Sequence, residues 1–183
     1  TFGVGELILD AIQIGANNII LAIGGSATND CGAGLLSALG VKFYDKTNVE
    51  FVPTGETLHK IQCFDTSTLE ENIKNVNFTV MCDVQNPLYG ENGAAYIYAP
   101  QKGADAKMVQ ILDQNLKDFA ALVKKEKGID IASVPGGGAA GGVGAAAFGF
   151  LNAKLKSGID LILDTLHFDQ IISDADLIIC GEG

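Results

Sequence analysis

Ile19-Ile20-Leu21-Ala22-Ile23 is an unbroken apolar run, and it leads straight into Gly24-Gly25. A strand without polar alternation is expected to be buried on both faces, which requires a sheet covered by helices. The neighbouring segments supply those helices. Residues 2–16 place Leu7, Ile8, Ala11, Ile12 and Ile14 on one broad face, and a small-residue helix is expected over 31–39. Residues 105–127 give the clearest helical period, through Met108, Ile111, Leu112, Leu116, Phe119, Leu122 and Val123. Shorter helices are expected at 67–73, where Ser67 stands three residues before Glu70 in the manner of a capping box. Others are expected at 92–98, 157–166 and 169–173, with a glycine- and alanine-rich helix over 139–155. Strands are expected at 41–44, 60–64, 77–82 and 177–180. Strands alternating with helices make the class α/β, a layered sheet with helices on both faces.

Charge narrows the function. Twenty-two acidic residues against 12 basic ones give a net charge of −10, and all 12 basic residues are lysines. Nucleic-acid affinity comes largely from neutralising phosphates, so this balance argues against a nucleic-acid partner. It argues equally against docking on an anionic membrane. Residues 131–153 are uncharged but carry seven glycines and one proline, a poor composition for a membrane-spanning helix. Cys31, Cys63, Cys82 and Cys180 stand far apart with no CxxC pair, and only His59 and His167 could join them. That spacing fits neither a zinc site nor a disulfide framework, and reads as the reduced thiols of a cytoplasmic protein. The chain starts with Thr1 and stops at Gly181-Glu182-Gly183 after a strand-like run. Both ends are expected to be cuts through a longer protein.

Four stretches could carry chemistry. The first, 24–34, leaves the apolar strand and enters a helix, which is where open α/β sheets place ligands. Its glycines let backbone amides approach an anion closely. Ser26, Thr28, Asn29 and Asp30 add polar side chains, although a simple helix cap needs only one of them. It is not a Walker A loop, because the Gly-Lys-Ser/Thr ending is missing. The second, 83–88, follows another strand. There Asp83 suits a metal-binding carboxylate or a base, and Asn86 precedes Pro87 in what could equally be an Asx turn. In the third, Lys102 lies between Gln101 and Gly103, either as a phosphate ligand or as a solvated lysine. The fourth contains Gly136, Gly137 and Gly138, which cradle an anion or serve close packing. Its GxGxxG pattern would suit a dinucleotide-binding oxidoreductase only with a strand immediately before it, and none is evident.

In series, these stretches resemble the bacterial class I glycerate kinases. The resemblance runs through GELILDAIQIGANNIILAIGGSATNDCGAG, CDVQNPLYGENGAA, APQKGA, PGGGAAGGVGAAAFGFLNAKLKSGIDLILD and DADLIICGEG, and so covers essentially the whole chain. It implies phosphorylation of D-glycerate by ATP with Mg²⁺, 2-phosphoglycerate being the favoured product. It also implies a fold of two α/β domains, one inserted in the other. Residues 1–183 would then be the central part, mostly the inserted domain, and inactive alone. Phosphoryl transfer needs metal-holding carboxylates and cations, which makes Asp30, Asp83 and Lys102 the catalytic candidates, and Asp30, Asp83 and Glu182 the metal candidates. Gly24, Gly25, Ser26, Thr28, Asn29, Asn86 and Gly136–Gly138 would bind substrate or phosphate. Cys31 departs from the family pattern, which usually has glycine there. A non-catalytic module for a small carboxylate or a nucleotide remains the alternative, and a homo-oligomer is left open.

Overall fold

The computed structural model describes residues 1–181. Its main sheet is parallel and three-stranded, in the order β1 (Asn18–Ala22), β5 (Asn77–Met81), β6 (Lys154–Lys156). Ala22 pairs with Met81 in the first ladder, and Met81 with Lys156 in the second. All three strands therefore end at the same edge. The loops beginning at Gly24 and Asp83 leave that edge side by side, as one site requires. Helices α1 (Phe2–Gln13), α2 (Ala33–Ala38), α6 (Ala139–Leu151) and α7 (Gly158–Thr165) flank this sheet.

A second, antiparallel sheet has the order β3 (Glu50–Phe51), β2 (Lys42–Tyr44), β4 (Cys63–Asp65). Phe43 of β2 lies with its ring centroid 6.2 Å from Phe64 and 6.1 Å from Phe119. Phe119 belongs to the long helix α5 (Ala106–Lys127) and stacks on Phe150 of α6. This aromatic cluster ties the small sheet to the helices behind the main one. Asp105 starts α5 by accepting a hydrogen bond from the Met108 amide, satisfying one of the free donors of a helix start. Gly128 ends it in the left-handed conformation.

Several expectations are corrected. Strand β1 is not buried on both faces, since Ile20 is 53% exposed and no residue of the strand is fully buried. It stands at the edge of the sheet with one side open. The helix expected over 139–155 stops at Leu151, where Asn152 turns left-handed and releases the chain into β6. Helix α3 (Ser67–Ile73) has Thr66 at its N-cap position, so Ser67 is its first helical residue and not its cap, and the Ser67 amide donates to Asp65 Oδ1. Residues 177–180 form no strand, because no ladder partner lies beside them among the described residues. The remaining short helices are α4 (Ala94–Tyr98) and α8 (Phe168–Ile171). No helix among the described residues is long and apolar enough to cross a membrane.

Candidate active site at the sheet edge

Two clefts open at the shared strand edge. The first holds about 270 Å³ and is bounded by Gly24, Gly25 and Ser26 on one side and by Cys82, Asp83 and Val84 on the other. Tyr98 and Gln101 close a third side. The second holds about 570 Å³ and lies across the Asp83 loop, against Pro135, Lys154 and Lys156. Cys82, Asp83 and Val84 line both clefts and form the ridge between them.

The first loop is built to face a ligand. A side chain added at Gly24 or Gly25 would meet nothing within 4 Å, so neither glycine is explained by packing. Gly25 takes a φ of +64°, which glycine adopts without strain. Among the described residues, no amide from Gly24 to Asp30 donates a hydrogen bond to the chain. Backbone amides left unpaired at an open cleft are donors in wait for an anion or water. Lys102 reaches the loop from the turn Pro100–Lys102, donating to Ser26 Oγ at 2.9 Å and to the Thr28 carbonyl at 2.7 Å. Its partial burial lowers its pKa from the usual lysine value, opposed by the nearby Asp30 charge. Asn29 has its amide nitrogen and oxygen both shut away from solvent without a partner. Buried polar atoms are rarely left so.

The two aspartates have different surroundings. Asp83 is exposed, and its Oδ1 accepts from the Gly158 amide at 2.7 Å, holding the start of α7. Its Oδ2 carries no hydrogen bond among the described residues. Asp30 is buried, with Oδ1 accepting from the Gly32 amide at 3.0 Å. Its Oδ2 accepts from the Gly34 amide at 3.3 Å and the Thr1 hydroxyl at 2.6 Å. Thr1 Oγ1 also accepts from the Leu35 amide at 2.9 Å. Asp30 thus organises the start of α2 and lines neither of the two clefts. The third expected metal ligand, Glu182, lies outside the described residues. Among those described, no three His, Cys, Asp or Glu side chains form a metal-binding group. Mg²⁺ is commonly held by one or two carboxylates beside phosphate and water oxygens, and Asp83 is the carboxylate that lines the two clefts.

Other expected ligands are held by the chain. Asn86 accepts from the Tyr98 hydroxyl at 2.6 Å and donates to the Asn92 carbonyl at 2.9 Å, which makes it a brace for its own loop. Thr28 Oγ1 donates to the Ala140 carbonyl. The amides of Gly137 and Gly138 donate to the carbonyls of Val134 and Asn86. Two of the three amides at 136–138 are thus committed to the chain, and all three glycines serve close packing. A Cβ on Gly136 would lie 2.7 Å from the Val84 carbonyl oxygen, and one on Gly138 would strike the Pro87 carbonyl. Gly141 and Gly142 press in the same way on Thr28 and Cys31. The glycine-rich segment is a clasp holding both loops. Residues 129–135 before it form no strand, which removes the dinucleotide-binding alternative. Cys31 has a φ of +50° and a fully buried thiol, whose pKa burial raises far above the usual value, with Asp30 adding to the rise.

Lys154 and Lys156, which line the second cleft, are not among the residues expected at the site. Lys154-Leu155-Lys156 does alternate with the period of a strand, and that signal was legible.

The whole chain, residues 1–183, matches the model of the glycerate kinase family. The chain belongs to the glycerate kinase family. It is 49% identical over 183 residues to a glycerate kinase of Bacillus cereus, covering 100% of this chain and 48% of that one. It is 49% identical over 181 residues to the glycerate 2-kinase of Escherichia coli K12, covering 99% of this chain and 48% of that protein. A Salmonella typhimurium LT2 protein described as a glycerate kinase 2, solved by crystallography, superposes with a TM-score of 0.93 at 42% identity. That match covers 100% of this chain and 49% of the other. The chain thus spans about half the length of the glycerate kinases it matches.

Proposed function

We propose that the protein carrying this chain transfers the γ-phosphoryl group of ATP to the C2 hydroxyl of D-glycerate, giving 2-phosphoglycerate and ADP. The observation that carries this reading is the position of Asp83 on the ridge between two clefts, where one carboxylate can serve two bound substrates. Family membership and the activities for which the relatives are named support it. In this reading residues 1–183 are a central portion of that protein, mostly its inserted domain; the chain spans 48% of the length of these relatives. Four free thiols accord with a cytoplasmic enzyme.

Phosphoryl transfer depends on positioning and charge stabilisation more than on covalent help from the protein. The unpaired amides of 24–26 offer donors to substrate oxygens, and Lys102 sets a positive charge behind them. Asp83 Oδ2 would hold Mg²⁺, which would supply charge neutralisation at the transferring group. The new P–O bond forms at the glycerate oxygen, the bond to ADP breaks, and the hydroxyl proton passes to solvent.

The test is ADP release by the full-length protein with D-glycerate, with the product assigned by ³¹P NMR. Asp83→Asn is expected to lower kcat by roughly 10²–10⁴-fold, as for other groups handling charge or a proton at a reacting centre. Failure to phosphorylate D-glycerate, or an unchanged rate in the variant, overturns the reading. Signal at the C3 phosphate alone overturns the assigned product.

A further inference from the structure

Ser26, Tyr98 and Gln101 line the first cleft, but Lys102 stands behind the loop. Its two hydrogen bonds go to Ser26 Oγ and the Thr28 carbonyl. An ammonium group has hydrogens and no lone pair, so it can only donate. A hydroxyl has one hydrogen and two lone pairs. The contact with Lys102 therefore uses an acceptor position on Ser26 Oγ and leaves its own hydrogen uncommitted. No other hydrogen bond within the described residues engages that oxygen. A neighbouring positive charge also strengthens the hydroxyl as a donor.

We propose that Lys102 is a positioning residue that presets the Ser26 hydroxyl as a donor to an oxyanion, a carboxylate or phosphate oxygen, held over Gly24 and Gly25. The open space at both glycines gives the oxyanion room, and the unpaired loop amides add donors around it. The inference deepens the kinase reading and rests on it for the two candidate ligands, D-glycerate and the nucleotide. A simple tie between loops would act differently. The bond from Lys102 to the Thr28 carbonyl survives removal of the Ser26 hydroxyl, so a tie would leave Ser26→Ala with normal ligand affinity.

The experiment is calorimetric titration of the full-length protein with D-glycerate and, separately, with ADP in the presence of Mg²⁺. Wild type is compared with Ser26→Ala, Ser26→Thr, Lys102→Met, Lys102→Arg and the Ser26→Ala/Lys102→Met double variant. For one ligand, each of Ser26→Ala and Lys102→Met is expected to raise Kd about 10-fold, the loss of one hydrogen bond to a charged group. The double variant should bind within about twofold of Ser26→Ala, because the two residues act as one unit. Ser26→Thr and Lys102→Arg should keep most of the affinity. The ligand that responds identifies the oxyanion as carboxylate or phosphate. Independent losses that multiply to about 100-fold in the double variant, normal binding by Ser26→Ala, or no binding of either ligand by wild type overturns the proposal. Melting curves check folding, and the Thr and Arg variants retain the test if Lys102→Met unfolds. Binding is read without turnover, so a protein with this pattern that fails to phosphorylate glycerate overturns only the kinase reading.

Discussion

Asp30 and Asp83 both follow parallel strands, Asp83 two residues past the end of β5 and Asp30 well beyond the end of β1, and one side chain turns inward while the other is exposed. The difference lies in partners far away in sequence. Thr1 and the amides of Gly32 and Gly34 surround the Asp30 carboxylate, whereas Asp83 meets only the Gly158 amide. Asp30→Asn is therefore expected to act mainly on stability. An amide keeps one acceptor oxygen but turns an NH₂ toward groups that donate, leaving a buried donor unsatisfied at a cost of about 1–3 kcal/mol. Urea unfolding should show this loss directly. Unchanged stability with lost turnover would return Asp30 to the chemistry. The sequence marked a loop that does line a cleft but could not say which of its polar residues face that cleft, since Ser26, Thr28, Asn29 and Asp30 have the same local spacing whichever way they turn. Ser26 opens on a cleft because Lys102, 76 positions away, braces the loop from behind.

At the scale of elements, the legible parts were those whose pattern is local. Helix α5 carries its own period, cap and terminating glycine, and it was expected at 105–127 and found at Ala106–Lys127. Strands β1 and β5 likewise stand where their apolar runs place them. The glycine-rich segment was ambiguous, because glycine serves an anion cradle and a close backbone contact equally well. Only tertiary neighbours separate these uses, and they separate two groups of glycines. Gly24→Ala should fold with stability within about 0.5 kcal/mol of wild type, as for surface changes without a contact, while weakening ligand binding by filling the cleft. Gly141→Ala meets both a φ of +66° and the Thr28 backbone, so it should lose roughly 1–3 kcal/mol or more. Thermal melts and ligand titrations of the two variants check this contrast. Equal stability losses would mean that the two loops are not held in the way the clasp requires.

The chain as a whole has a core, but it leaves large apolar side chains in the open. Leu7, Ile14, Leu177 and Ile179 are 72, 81, 76 and 87% exposed, and the Ile20 face of β1 is uncovered. The cleft beside Gly24 holds about 270 Å³, below the roughly 300–1,000 Å³ typical of small-molecule sites. Neither cleft alone encloses both ATP and glycerate, and the ridge at Asp83 offers only one wall to each. Enclosure matters because holding reactants in register contributes up to roughly 7–11 kcal/mol of the barrier reduction. A polypeptide limited to residues 1–183 should therefore keep helix α5 and the aromatic cluster of Phe43, Phe64, Phe119 and Phe150, giving a cooperative melt. It should nevertheless be nearly silent in a coupled ADP-release assay run beside a full-length glycerate kinase, with turnover lowered by at least roughly 10³-fold, a modest share of that positioning term. Comparable turnover would show that the walls present within these residues suffice, and that the exposed apolar side chains cover nothing the reaction needs.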